Sequence, residues 1–104
     1  MSKFTDKRNL QEITLPSYPE DKVSMYTSLL TEDYEKIMEE QVEFKRTLKM
    51  LVALIKSWTF TLEDDKQMEV NETNLKKLPT PDFTFLVEKM TNILDETTEK
   101  KMKK

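Results

Sequence analysis

Glycine, cysteine and histidine are all missing from this sequence of 104 residues. Without glycine, the chain cannot form the glycine-rich loops that hold phosphate groups, and its helices have to end without their favoured cap. Without cysteine and histidine, it has no thiol chemistry, no disulfide, no ordinary zinc site and no imidazole base. We therefore expect a protein that is not an enzyme and has no cofactor and no catalytic residue.

Acidic residues are abundant, but their spacing does not indicate a catalytic pair or a metal site. Glu39 and Glu40 are adjacent, and adjacent residues on a helix do not face one another. Asp64 and Asp65 lack the alternating ligands and the sharp glycine turn of a calcium-binding loop. We interpret both pairs as solvated charges and expect no bound metal.

Long apolar runs are missing as well. The longest, residues 50–55, contains six residues, whereas about 20 are needed to cross a bilayer. The first residues of the sequence have no apolar signal core. We therefore expect a soluble, cytoplasmic protein without membrane contact.

Charge is what the sequence has in abundance. Charged residues make up 36% of the chain and hydrophobic residues 37%, with a net charge of −3. This composition is typical of helices with narrow apolar stripes, and its acidic balance argues against nucleic-acid binding. Four lysines lie in residues 100–104. They form either the solvated end of a helix or a tail that binds polyanions.

The first 30 residues are predicted to form an N-terminal arm. Apolar and polar residues alternate over 12–16 and less clearly over 23–26, which indicates short strands, and Pro16 ends the first of them. The same pattern fits an arm that is partly disordered and becomes ordered on a partner. The sequence leaves both alternatives open.

Residues 31–104 are predicted to form a helical domain around one long helix. Thr31 fits an N-cap, and apolar residues then recur mostly at every third or fourth position as far as Trp58. This spacing predicts a helix from about residue 32 to residue 57. The predicted fold class is therefore mainly α: a small helical domain with a long central helix.

Shorter patterns predict the rest of this domain. Asn71 or Thr73 fits the cap of a brief helix, and Thr80 followed by Pro81 is typical of a helix start. The predicted elements are a hairpin or ordered loop over 58–70, a short helix over 72–78, a helix over 81–95 and a charged tail over 96–104.

Five apolar residues are candidates for binding a protein partner. Trp58 is the only tryptophan. Its position favours a core anchor that joins the long helix to the final one, and the alternative is a hot spot at a partner surface, where tryptophan is enriched. Two phenylalanines lie near the edges of the helical stripes or outside them. The candidates are Phe44, Met50, Trp58, Phe60 and Phe85.

The seven methionines raise a related question, because methionine-rich surfaces adapt to varied partners. Met38, Met68 and Met90 lie on apolar patterns that predict core positions. Met25 and Met50 are the better candidates for an exposed, adaptable surface.

Part of the sequence resembles a known family. The similar segments are residues 13–19 (ITLPSYP), 51–61 (LVALIKSWTFT), 63–66 (EDDK) and 70–79 (VNETNLKKLP). They are similar to the tail assembly chaperones of long-tailed, siphophage-type bacteriophages, and together they contain 32 of the 104 residues. Those proteins carry a helix that ends in tryptophan, an acidic turn, a short apolar strand, and a capped turn ending in Leu-Pro before a last helix. Their turn often has glycine after the aspartate, where this chain has Asp65.

The resemblance implies a chaperone or adaptor that binds the tape measure protein and helps recruit tail tube subunits. Such a protein would shield apolar helices in a groove, act in the host cytoplasm, and stay out of the finished virion. A homo-oligomer is compatible with this role. Two alternatives stay open: a structural virion component, such as a head–tail connector or tail completion protein, and a regulator that binds nucleic acid through the lysine tail.

Overall fold

A three-stranded antiparallel sheet with strand order β1-β2-β3 forms one layer of the protein, and helices pack against it. The computed structural model describes residues 5–102, with side chains described as far as residue 94. In chain order the elements are β1 (Leu10–Leu15), β2 (Tyr18–Tyr26), α1 (Thr31–Glu39), α2 (Glu43–Leu54), β3 (Ile55–Trp58), α3 (Glu72–Leu75) and α4 (Thr80–Met102).

The strands alternate between a buried face and an exposed face. Ile13 of β1 lies opposite Val23 of β2, and both are buried. One position away, Glu12 lies opposite Ser24 on the other face of the sheet, and Glu12 is exposed. Trp58 of β3 pairs with Val23 from the other side and is buried too. One face of the sheet therefore belongs to the core, as is common for antiparallel sheets.

The expectation of a mainly α fold is wrong, because the chain forms a mixed α/β domain. Two strands, β1 and β2, lie within the first 30 residues. Of the two alternatives for this segment, short strands or a partly disordered arm, the structure therefore shows strands. β2 runs through Pro19 and the charged residues that follow it. A strand with one solvated face has few apolar residues, and the buried ones in this hairpin are Ile13, Leu15, Val23 and Met25.

The predicted helix over 32–57 is broken into α1 and α2, and its last residues belong to β3. Glu40 and Val42 have extended backbones, with φ, ψ of −77°, 126° and −82°, 116°. The Arg46 guanidinium donates two hydrogen bonds, of 3.0 and 2.8 Å, to the Glu40 carbonyl oxygen, which no longer has a helical partner. The apolar spacing continues across the break because both helices pack inward, so periodicity alone does not reveal it.

The segment after Trp58 is an ordered loop with a single isolated bridge between Thr61 and Gln67. Asp65 in its acidic turn has φ of 65°, in the left-handed region. Aspartate tolerates this conformation better than most residues do.

The last two helices begin close to where the sequence predicts. The Asn71 side chain caps α3 by accepting a hydrogen bond of 2.8 Å from the Asn74 backbone N–H. α3 ends at Leu75, earlier than the predicted 78, and turns lead from there to Pro79. α4 starts at Thr80 but continues to Met102, well past the predicted end at 95. The residues added there are largely good helix formers, so the helix continues without an apolar stripe.

Candidate protein-binding surface

Trp58 and Phe60 lie in the core, where 3% and 7% of their surfaces are exposed. The indole N–H of Trp58 donates a hydrogen bond of 2.6 Å to the Met68 carbonyl oxygen. The two rings meet edge-on, with centroids 5.3 Å apart, and Tyr18 packs edge-on against Phe60 at 5.1 Å. Neither side chain is available to a partner in this structure, so both act as core anchors.

Met50 and Phe85 are half-buried and pack against the core cluster. The Lys89 ammonium lies 5.3 Å from the centre of the Phe85 ring, a cation–π distance, so part of this ring is already covered.

Two other methionines differ from the sequence analysis, in which Met25 was a candidate for the surface and Met38 was assigned to the core. Met25 is fully buried, because it lies on the inner face of the central strand β2. Met38 is about half exposed. In the short helix α1 the buried residue is its neighbour Ile37. Helical spacing assigned Met38 to a stripe that the break after α1 interrupts.

Phe44 is the one predicted partner-binding residue that the structure leaves exposed, with 52% of its surface accessible. Its ring packs against that of Phe83 in α4, with centroids 5.8 Å apart and an angle of 44° between the planes. The two rings lie in a shallow groove of about 600 Å³. We call this the α2–α4 groove. It is lined by Val42, Glu43, Phe44, Thr47, Phe83, Thr84 and Val87.

The α4 side of the groove is fixed by the start of that helix. Asp82 is fully buried, and its Oδ1 accepts a hydrogen bond of 2.9 Å from the Ser17 backbone N–H. Asp82 Oδ2 has no hydrogen-bond partner among the described residues. Both Asp82 and Phe83 donate their backbone N–H groups to the Pro79 carbonyl oxygen at 3.0 Å. Phe83 is therefore held at the end of α4 that the β1–β2 turn secures.

The other side of the groove is fixed by the break between α1 and α2. The Val42 backbone N–H donates to a Glu40 carboxylate oxygen at 3.1 Å, and the Lys49 ammonium pairs with the same carboxylate at 3.0 Å. The hydrogen bond from Lys49, followed by that from the Val42 N–H, lowers the pKa of Glu40 below its ordinary value. These contacts place Val42 and Phe44 on the surface rather than in the core.

Sequence reasoning found Phe44 but missed Val42, Glu43 and Phe83. Val42 and Phe44 are two positions apart, and residues two apart do not share one face of a helix. This spacing is a sequence signal for an exposed residue or a helix break. Nothing in the sequence places Phe83 beside Phe44, because that contact depends on how α4 packs against α2.

A second concavity of about 410 Å³ lies among α1, α2 and α3. Its apolar residues include Ile37 and Val52, and its charged residues are Asp33, Lys36, Lys49 and Glu72. Two acids and two bases give this site no excess charge of either sign, so no ligand class follows from it. Within residues 5–94, no group of three or more acidic side chains could hold a metal ion. No helix in the described part of the chain has the length and hydropathy that crossing a membrane requires.

Comparison of the chain with protein-family models, with curated proteins and with solved structures found no match. The features of the molecule that bear on its function are therefore the α2–α4 groove and the residues that line it.

Proposed function

We propose that this protein is an assembly chaperone or adaptor of the phage-tail type, which binds an apolar helix of a tape measure protein and helps recruit tail tube subunits. On this proposal it acts in the host cytoplasm, by binding rather than by catalysis. The observation that carries the proposal is the exposed Phe44 ring packed beside Phe83 in an apolar groove.

The energetics of the groove favour a binding role. An exposed phenylalanine gains about 1.5–3 kcal/mol when it becomes fully buried, and Phe44 is only half covered by its own chain. A partner helix presents side chains at positions i, i+3 and i+4 on one face, which suits an elongated apolar groove between two helices. The α2–α4 groove lies between two helices, and its apolar lining residues are Val42, Phe44, Phe83 and Val87.

The order of elements around Trp58 adds support from the resemblance. Helix α2, Trp58, the acidic turn with Asp65, the Asn71 cap and helix α4 follow one another as in the similar phage proteins. One difference is that Trp58 ends a strand here, since β3 lies between it and α2.

Co-expression with a tape measure protein tests the proposal. We expect a soluble complex with the wild-type chain and a loss of at least tenfold in recovered complex with Phe44→Ser, because truncating a buried aromatic anchor costs about 2 kcal/mol or more. Leu62→Ser is the matched control, since Leu62 is also exposed, at 40%, but lies outside the groove. No complex with the wild-type chain, or equal losses with both variants, contradicts the proposal.

Mass spectrometry of purified phage particles separates a chaperone from a virion component. A chaperone is absent from the finished particle, whereas a connector or completion protein is present at a fixed number of copies. Detection of the chain in stoichiometric amount in particles therefore contradicts the chaperone assignment.

A further inference from the structure

The acidic charge of the chain is concentrated in a segment that ends at the α2–α4 groove. Residues 32–44 contain six acidic residues and one lysine, a balance of −5, although the whole chain carries only −3. The rest of the chain therefore has a net charge of +2, from 16 basic and 14 acidic residues. The acidic field of this protein comes from α1, the break after it and the start of α2.

Exposed apolar and acidic residues alternate regularly along this segment. Each of three exposed apolar residues is followed directly by an exposed glutamate, and the pairs recur every four positions. The pairs are Tyr34 and Glu35, Met38 and Glu39, and Val42 and Glu43. We call residues 34–44 the acidic stripe. It reaches the groove at Val42 and Glu43, which are among the groove's lining residues.

Three of the four glutamates of the acidic stripe are free to pair with a partner. Glu40 is already bound to Lys49 at 3.0 Å. Among the described residues, Glu35, Glu39 and Glu43 form no ion pair and no side-chain hydrogen bond. Neither lysine nor arginine lines the groove. A partner that covers this surface with acidic side chains would place like charges together, at a cost in affinity.

We propose that the helix bound in the α2–α4 groove is basic, with lysine or arginine on both sides of its apolar ridge. This proposal rests on the function proposed above and specifies its partner. The apolar ridge covers Phe44 and Phe83, and the flanking cations pair with Glu39 and Glu43. Steering by opposite charges raises the association rate and excludes acidic helices. The same charges disfavour nucleic acid and anionic membranes as occupants.

Two synthetic helical peptides test the proposal. They share one apolar face, and their polar positions are all lysine in one and all glutamate in the other. With fluorescently labelled peptides and the full chain, we expect the lysine peptide to bind at least about tenfold more tightly at low salt. This difference shrinks as the salt concentration rises, since exposed charges are screened.

Charge reversal in the chain supplies the matched variants. Glu39→Lys combined with Glu43→Lys should remove or reverse the preference for the lysine peptide. Glu63→Lys combined with Asp64→Lys changes the net charge equally, in an exposed turn outside the groove, and should keep at least most of the preference. Circular dichroism confirms that all variants are folded.

The outcomes separate this inference from the proposed function. Equal binding of both peptides by the wild-type chain overturns the inference and leaves the proposed function standing. An equal effect of the two charge-reversal variants also overturns it, because net charge rather than the acidic stripe then sets the preference. If neither peptide binds, or if sedimentation shows a second copy of the chain occupying the groove, both proposals are contradicted.

Discussion

The backbone N–H of Ser17 donates a hydrogen bond of 2.9 Å to the carboxylate of Asp82, which joins the β1–β2 turn to the first turn of the last helix. The two residues are 65 positions apart in the sequence. Asp82 is fully buried, and its second carboxylate oxygen has no partner among the described residues. This one contact therefore fixes the end of α4 from which Phe83 projects.

Replacing Asp82 tests how much this contact contributes to stability. Asp82→Ala removes the acceptor and leaves the Ser17 N–H without a partner, so we expect the free energy of unfolding to fall by about 1–3 kcal/mol. Asp82→Asn keeps an acceptor oxygen in the same place and should retain most of the stability. Urea unfolding measures both variants. Equal losses for alanine and asparagine contradict the role assigned to the hydrogen bond.

Trp58 is predicted to be a core anchor, so its substitution should affect folding before binding. Trp58→Ala creates a cavity beside Phe60 and should cost about 3–5 kcal/mol. Trp58→Phe keeps part of the packing but removes the indole N–H that donates to the Met68 carbonyl oxygen, which still accepts from the Gln67 amide at 3.3 Å. We expect the lost hydrogen bond to cost about 0.5–1.5 kcal/mol, less than the loss with alanine. Denaturant unfolding followed by circular dichroism measures the two. A Trp58→Ala variant as stable as the wild type shows that this residue is not in the core.

The left-handed backbone of Asp65 predicts opposite effects for two substitutions. Asp65→Gly should leave stability unchanged or raise it slightly, because glycine adopts a φ of 65° without steric cost. Asp65→Val should lower stability by about 1 kcal/mol, because a β-branched residue tolerates the left-handed region less well than aspartate does. The midpoint of thermal unfolding compares the two variants. A glycine variant less stable than the valine variant contradicts the turn geometry.

Local signals are the part of this fold that the sequence predicts best. The Asn71 cap and the start of α4 at Thr80 and Pro81 each depend on a few adjacent residues, and the structure has them within one position. Asp65 alone among the described residues has positive φ, and it lies in the acidic turn. Short-range stereochemistry decides all of these features.

Pairing between distant segments is the part that the sequence does not predict. Residues 55–58 continue a helical pattern, yet they form a strand because Met25 and Val23 of β2 lie beside them. The groove has the same origin, since Phe44 and Phe83 come from helices far apart in the chain. The spacing of hydrophobic residues indicates which face of a helix or strand is buried. It does not indicate which other element packs against that face.

The Asp6–Arg8 pair predicts a dependence of stability on pH. Hydrogen bonds from the Arg8 side chain and then from its backbone N–H lower the pKa of Asp6 to about 2, from an ordinary value of 3.8. Because the folded-state pKa is the lower one, the contribution of Asp6 is present above pH 3.8 and is lost as the pH falls through about 2.

Unfolding of the wild type and of Asp6→Ala at a series of pH values checks this prediction. The stability difference between the two should be constant near neutral pH and should shrink at acid pH over that range. The Arg8 guanidinium also lies 3.6 Å from the centre of the Tyr26 ring, a contact that does not depend on this titration. A difference that stays constant down to about pH 2 contradicts the assigned ion pair.

The most direct test of the account is photocrosslinking from within the α2–α4 groove. A photoreactive amino acid replaces Thr47, which lines the groove, in a chain co-expressed with a tape measure protein. The account predicts a crosslink to an apolar, lysine- or arginine-flanked helix of that partner, and no crosslink from the exposed control position Leu62. Equal crosslinking from both positions, or none from Thr47 while the complex still forms, contradicts the claim that this groove is the binding site.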